Sequence, residues 1–298
     1  MNKGSPFTRI KSFARLGKAT IALPVALTGF LGYFLFKPVF DLHGLWTFGG
    51  VFLLAAGSGA LNQVQERKID ALMQRTARRP IPAGIISPGQ ALLFALVVSA
   101  AGAWMLWLTG ELLAAGLGLF TLVWYNGVYT PLKRVTAFAV FPGAVIGALP
   151  PLIGWSAAGG DPLEMEILAV AFLLFTGQMP HYWLLLLKNG EQFRDAGLPV
   201  VTSLLAPRQI RNISFTWIAA TAVIVLMLPA TPVIRNHWIA LGLVLVAVLF
   251  LVRMFLLSYR DDLLKHWKKA FITVNLFYLV IILALIADRI VMVTSKFN

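Results

Sequence analysis

The feature that most constrains this chain is a series of nine apolar stretches, at 19–36, 45–62, 90–109, 112–131, 135–157, 165–187, 210–229, 236–256 and 270–287. Each is close to the ~20 residues a helix needs to cross the hydrocarbon core of a bilayer. A soluble fold could not hide them. Hydrophobic residues are 59% of the 298 and charged residues 12%, against roughly 45–50% and 25% in soluble domains. Folded surface shrinks too slowly with chain length to cover that excess. The sequence therefore predicts an all-α membrane protein, a single domain over 1–298 with about nine transmembrane helices. Gly110 and Glu111 divide the third and fourth spans. Pro142, Pro150 and Pro151 predict a kink or an opened backbone in the fifth, which a membrane tolerates only where neighbours or a cavity satisfy the freed groups.

Charge then sets orientation. The net charge is +13. In a soluble chain that would suggest nucleic acid. Here 21 of the 25 Lys and Arg fall in the N-terminal arm and in alternate loops, leaving Lys37, Arg235, Arg289 and Lys296 on the other side. Basic residues collect on the cytoplasmic side of membrane spans. The pattern predicts a multi-pass protein of the cell's inner (plasma) membrane, N-terminus cytoplasmic and C-terminus outside, with no nucleic-acid partner. The basic arm 1–18 reads as an amphipathic anchor facing the lipid bilayer. The chain has no cysteine, which excludes disulfides and thiolate metal sites.

Of the twelve acidic residues, most sit outside or in a solvated basic loop; Glu66, Asp70, Glu191 and Asp195 have no such explanation. Glu66 and Asp70 are four apart, as are Glu191 and Asp195, so each pair shares one helix face. The pairs follow the second and sixth spans, on the same side of the membrane. Four spans separate them, which predicts two four-helix halves plus a ninth helix around a central cavity. Carboxylates facing each other need a cation. Mg²⁺ takes hard oxygen ligands and is commonly held by a few carboxylates together with substrate phosphates. Nearby Arg and Lys suit a diphosphate. Asn62, one turn before Glu66, adds a neutral amide. Weak ion pairs on a helix surface would explain the same spacing, and spacing alone does not choose between the two.

The segment "NQVQERKIDALMQRTARRPIPAG" at 62–84 carries more than spacing. With "YTPLKRVT" at 129–136, "GALPPLIGW" at 147–155, "PHYWLLLLK" at 180–188 and "EQFRDAGLPV" at 191–200, it resembles the UbiA superfamily of intramembrane prenyltransferases, most closely the branch that farnesylates haem. The resemblance implies Mg²⁺ as cofactor, farnesyl diphosphate as donor and haem B as acceptor, with haem O as product. It implies that Asn62, Glu66, Asp70, Glu191 and Asp195 form the catalytic set. Glu66, Asp70, Glu191 and Asp195 would be the metal ligands. Arg75, Arg79, Lys133, Arg134 and Lys188 would hold the diphosphate. His181 would face the haem, as an iron ligand, a hydrogen-bonding group or a buried structural residue. Haem-pathway or oxidase-assembly proteins of the membrane are the partners it suggests.

Three departures bear on activity. Position 66 is Glu where the superfamily usually has Asp. Gln192 and Phe193 replace an acid and a tyrosine of the second acidic region, and an Asn expected after "KRVT" is missing. Two alternatives stay open: a relative with another acceptor, such as a quinone precursor, and a haem-binding membrane protein with weakened catalysis. Trp124, Tyr125, Tyr129, Phe141, Tyr182 and Trp183 are candidate walls for an allylic cation, with packing the alternative role for each.

Overall fold

The computed structural model describes residues 6–260 and 266–295, with side chains described throughout except at 6–9 and 186–189. The Lys188 side chain therefore lies outside the described residues. The helices run α1 (Pro6–Leu16), α2 (Ala19–Phe36), α3 (Leu42–Leu72), α4 (Pro88–Trp107), α5 (Leu112–Val123), a π-helical turn (Trp124–Tyr129) leading into α6 (Thr130–Leu132), α7 (Val140–Ala157), α8 (Met165–Asp195), α9 (Pro207–Met227), α10 (His237–Phe255) and α11 (Trp267–Thr294). Among the described residues, nine helical segments are long and apolar enough to span a membrane, and they match the nine expected.

Neighbours in sequence are neighbours in space. α2, α3, α4 and α5 pack in that order, and so do α7, α8, α9 and α10. α7 also packs on α5 and α2, and α11 closes the ring against α10, α8 and α2. That is the two-halves-plus-one arrangement. Two main apolar cores fill the bundle, and each draws side chains from both halves. One gathers Val51, Leu54, Leu106 and Ile153. The other gathers Ile167, Ile218, Ala247, Val274 and Ile281.

The halves meet closely where α2 crosses α7. A Cβ on Gly154 would overlap the Gly29 carbonyl, and one on Gly32 would overlap the carbonyl of Pro151. Small residues let membrane helices approach to backbone contact. The prolines of the fifth span do not break it: α7 is a continuous helix through Pro150 and Pro151. It starts at Val140, five residues later than expected. Pro142 falls in its first turn, where a missing N–H costs nothing.

Both α3 and α8 are 31 residues long, about 46 Å at 1.5 Å per residue. That exceeds the ~30 Å hydrocarbon core. The spans at 45–62 and 165–187 are therefore parts of longer helices, and the excess turns carry the two acidic pairs.

Candidate functional site

On the last three turns of α3, Asn62, Glu66 and Asp70 recur every fourth residue on one face. All three are buried, Glu66 at 4% exposure and Asp70 at 1%. Buried carboxylates persist only where charge or hydrogen bonds compensate them. One Arg79 nitrogen (Nη1) reaches both Asp70 oxygens, at 2.8 and 2.6 Å. Lys133 Nζ lies 2.5 Å from Glu66 Oε1. Thr76 Oγ1 donates to the Asp70 carbonyl at 2.8 Å and fixes the turn that brings Arg79 back.

The third motif position is held by a residue that sequence reasoning placed elsewhere. Lys18 Nζ donates to Asn62 Oδ1 at 2.6 Å. Asn62 Nδ2 donates to Thr130 Oγ1 at 3.1 Å, and Thr130 Oγ1 donates to the Tyr125 carbonyl at 2.9 Å. Lys18 was counted with the lipid-facing arm. It sits instead at the break between α1 and α2, partly buried. It is the one non-glycine with positive φ among the described residues, at 49°. Gly17 makes the break possible: its Cα faces Ala56, where a Cβ would come within 3.1 Å. Burial first, then the charges of Arg79 and Lys133, push the Lys18 ammonium down to about 7, against the pull of Glu66 and Asp70. The left-handed turn falls on Lys18 itself and not on Gly17, so no glycine in the arm announces it.

The π-helical turn was also missed, and short π segments often mark functional sites. It exposes the Asn126 carbonyl, which accepts from Gln65 Nε2 at 3.0 Å, while Asn126 Nδ2 donates to Ser58 Oγ at 2.7 Å. The turn thus joins α5 to the motif helix. Arg134 Nη2 donates to the Gln65 carbonyl at 2.8 Å.

Two open volumes meet at Lys18. Below it lies an apolar cavity of about 150 Å³ between α2, α3, α5 and α7, walled by Val25, Val51, Leu54, Leu122, Tyr125 and Ile153. Above it lies a basic bowl of about 680 Å³, lined by Lys11, Arg15, Lys18, Arg75, Arg78 and Arg79. Lys18 is the polar residue common to both. Of the aromatic candidates, Tyr125 lines the cavity. Trp183 is buried in a satellite core with Val140, Met179 and Ile210, with Tyr182 packed against it. Phe141 stacks edge-on against Trp217. Trp124 Nε1 donates to the Pro142 carbonyl at 2.8 Å, and Tyr129 packs at 5.4 Å from Tyr125.

The second acidic pair is placed differently. Glu191 and Asp195, at the end of α8, are exposed. The Asp195 side chain is 74% exposed, with Arg194 Nε 3.8 Å away. Arg75, over the Phe193 ring at 6.0 Å, is the contact that links the two acidic regions. Among the described residues no three Asp, Glu, His or Cys gather into a metal-binding group. A cage made wholly of protein ligands is therefore not formed among them. The donor set that is formed, two hard carboxylates one turn apart beside phosphate-suited cations, fits a Mg²⁺ shared with a phosphate ligand. His181, on α8, packs against Phe271 with ring centres 4.8 Å apart.

A ring of nine spans with a buried carboxylate cluster at one end, an apolar cavity below it and a cationic bowl above defines an intramembrane prenyltransferase. The chain belongs to the UbiA prenyltransferase family, whose sequence model matches residues 22–282. It is 38% identical over 245 residues to the protoheme IX farnesyltransferase of Nitratidesulfovibrio vulgaris strain Hildenborough, covering 81% of this chain and 85% of that one. Its fold is similar to that of a digeranylgeranylglyceryl phosphate synthase, with a TM-score of 0.78 at 16% identity over 95% of this chain and 99% of that one. A UbiA homologue from Archaeoglobus fulgidus bound to GPP and Mg²⁺ superposes with a TM-score of 0.63 at 16% identity, over 93% and 99% of the two chains.

Proposed function

We propose that this enzyme transfers the farnesyl group of farnesyl diphosphate to a vinyl group of haem B, giving haem O. The observation that carries the reading is the junction at Lys18. An apolar cavity and a basic bowl share one polar wall, and the motif residues Asn62, Glu66 and Asp70 stand beside it. A prenyl diphosphate has that polarity, a hydrocarbon tail joined to a polyanion at one C–O bond. The relatives named for farnesyl transfer to protohaem support the acceptor.

In this reading Glu66 and Asp70 hold Mg²⁺, which when bound neutralises charge on the diphosphate. Arg75, Arg79, Lys133 and Arg134 would surround the same group, with Lys18 from the α1–α2 break; Lys188 is assigned to it by resemblance alone. Glu191 and Asp195 complete the carboxylate set; both are exposed, so the end of α8 must close over the mouth to bring them in. Cations fixed before the reaction stabilise the charge that develops on a leaving group without reorganising. The C–O bond breaks with its electron pair leaving on the diphosphate. The vinyl π pair then forms the new C–C bond to the allylic carbon. Water adds to the resulting cation and releases a proton, leaving a hydroxyethylfarnesyl side chain. Tyr125 offers its ring face to the allylic cation inside the cavity. His181, packed on Phe271 of α11, is the α8 residue that the resemblance assigns to the acceptor. The basic end of the bundle is cytoplasmic, by the charge asymmetry of the loops.

The test is turnover. Purified protein in lipid nanodiscs is given haem B, farnesyl diphosphate and Mg²⁺, and products are weighed by mass spectrometry. A haem heavier by one farnesyl group and one hydroxyl is expected. An unmodified haem alongside a prenylated quinone precursor would replace the acceptor.

A further inference from the structure

The basic bowl holds more positive charge than one diphosphate uses, and its cations fall into two tiers. Arg79 and Lys18 stand on its inner wall, engaged with Asp70 and Asn62. Arg15, Arg75 and Arg78 line the rest, exposed to water. Among the described residues none of these three has a carboxylate within 4 Å, whereas Arg79, Lys133, Arg194, Arg235 and Arg289 do.

The bowl's rim is also built, not incidental. Gln63, the residue after Asn62, donates from Nε2 to the Arg15 carbonyl at 3.0 Å and to the Leu16 carbonyl at 2.8 Å. The motif helix α3 therefore grips the end of α1 next to the point where Lys18 grips Asn62. That fixes where Arg15 leaves the backbone, while its guanidinium stays at the water-facing edge.

Size separates the two ligands. The apolar cavity of about 150 Å³ is below the roughly 300–1,000 Å³ of sites that hold cofactor-sized molecules, so it is too small for a macrocycle. The bowl, at about 680 Å³, falls within that range.

We infer that Arg15 and Arg78 form the acceptor's carboxylate site, holding the two propionates of the porphyrin at the rim of the bowl. The inference rests on the proposed farnesyl transfer to haem. Propionates and vinyl groups occupy opposite edges of the macrocycle. Anchoring the first at the rim turns the second inward, toward Lys18 and the mouth of the tail cavity, where the new bond must form. Guanidinium forks match carboxylates in two-point hydrogen bonds. α1 is then an acceptor-orienting element, and Arg15 and Arg78 are positioning residues.

The experiment compares haem B with its dimethyl ester, which keeps the vinyl groups and loses both charges, in nanodiscs with farnesyl diphosphate and Mg²⁺. In the wild type the ester should show a KM about tenfold above haem B. Arg15→Gln with Arg78→Gln should raise the haem KM by about the same factor and remove the difference between haem and ester, while the KM for farnesyl diphosphate moves less than about twofold. Arg15→Lys with Arg78→Lys should restore part of the difference, which a merely structural loss would not allow. The inference is overturned if the double Gln variant keeps the wild-type haem-to-ester ratio. It is overturned equally if the KM for farnesyl diphosphate rises with that for haem, which would give these cations to the diphosphate. Loss of the ratio on removing anionic lipids alone would make the rim a lipid-headgroup site. Failure of the underlying acceptor assignment shows separately, as a wild type that prenylates neither porphyrin.

Discussion

Asp70→Asn separates a metal-and-phosphate site from a structural ion pair. Asp70 is 1% exposed, and Arg79 Nη1 reaches both of its oxygens at 2.8 and 2.6 Å. Asn keeps the volume and one acceptor but turns the other oxygen into an amide that opposes the Arg79 donor. Breaking a fully buried pair costs about 3–5 kcal/mol. The Arg79 side chain is 22% exposed and can turn to water, so the expected loss of stability is about 1–2 kcal/mol. For a chain of this size that lowers Tm by roughly 3–6 °C. If Asp70 only tied Arg79 in place, activity would follow that modest figure. If it supplies charge to a metal–diphosphate, turnover should fall by about 10²–10³, the scale of losing one preorganised group at a reacting centre. The assay measures initial rates in nanodiscs at saturating Mg²⁺, with Tm followed by intrinsic fluorescence on the same samples. Haem binding, read from the absorption spectrum, should persist. A variant that keeps more than about a third of wild-type turnover would refute the site, because the stability term alone allows that much.

The other predictions probe separate parts of the same end of the bundle. Glu66→Asp withdraws the carboxylate by about 1.5 Å from a Lys133 contact of 2.5 Å; turnover should drop about tenfold with a higher Mg²⁺ requirement, and a rate at or above wild type would show that the extra methylene has no tuned role. Lys18, held down to about 7 mainly by burial, should be pulled back up by a bound polyanion, so binding takes up a proton and affinity falls as pH rises above about 7, by at most tenfold per unit. Calorimetry of farnesyl diphosphate binding in two buffers of different ionisation heat should show that uptake, and Lys18→Met should abolish it; equal heats for the wild type would sink the assignment. His181→Ala should shift the haem absorption maximum, and an unchanged spectrum would remove His181 from the acceptor site. Gly154→Ala forces a Cβ onto the Gly29 carbonyl and should cost about 3 kcal/mol or more as overpacking, read as lost yield of folded protein; a normal yield would mean that α2 and α7 separate easily.

The spans were legible because a bilayer leaves few choices. Only helices satisfy their own backbone across it, so length and hydropathy located all nine, and the repeat of acidic pairs after the second and sixth spans located the two halves. The first motif was legible because the helix period alone puts Asn62, Glu66 and Asp70 on one face. Lys18 was hidden by a rule that is right on average. Basic residues flanking a span are explained by topology, and nothing in the sequence shows which of five arm cations is bent inward at the α1–α2 break. The π-helical turn was hidden for a different reason: no residue pattern marks a shift from four- to five-residue hydrogen bonding, and it forms because Gln65 and Ser58 on another helix satisfy Asn126.

The unequal state of the two acidic pairs has a physical cause in the loops that follow them. After α3 the chain turns back through Thr76 and returns Arg79 to Asp70, while Lys133 arrives for Glu66 from the loop between the fourth and fifth spans. Both carboxylates are neutralised by cations on segments other than their own helix, so they stay buried. Glu191 and Asp195 are given no such cation among the described residues. Among the described residues, the cation beside Asp195 is its neighbour Arg194, at 3.8 Å. A carboxylate without a fixed partner stays in water. The first pair is thus held in place and the second is not; under the proposed metal–diphosphate role, that gives them different moments in the reaction. Glu66 and Asp70 can receive a metal–diphosphate as it arrives. Glu191 and Asp195 can join only after positive charge has arrived with it. A Glu191→Gln, Asp195→Asn variant should therefore bind farnesyl diphosphate with Mg²⁺ within about threefold of wild type yet turn over at least about tenfold more slowly. Asp70→Asn should lose both. Equal loss of binding in the two variants would show that the pairs act together from the start.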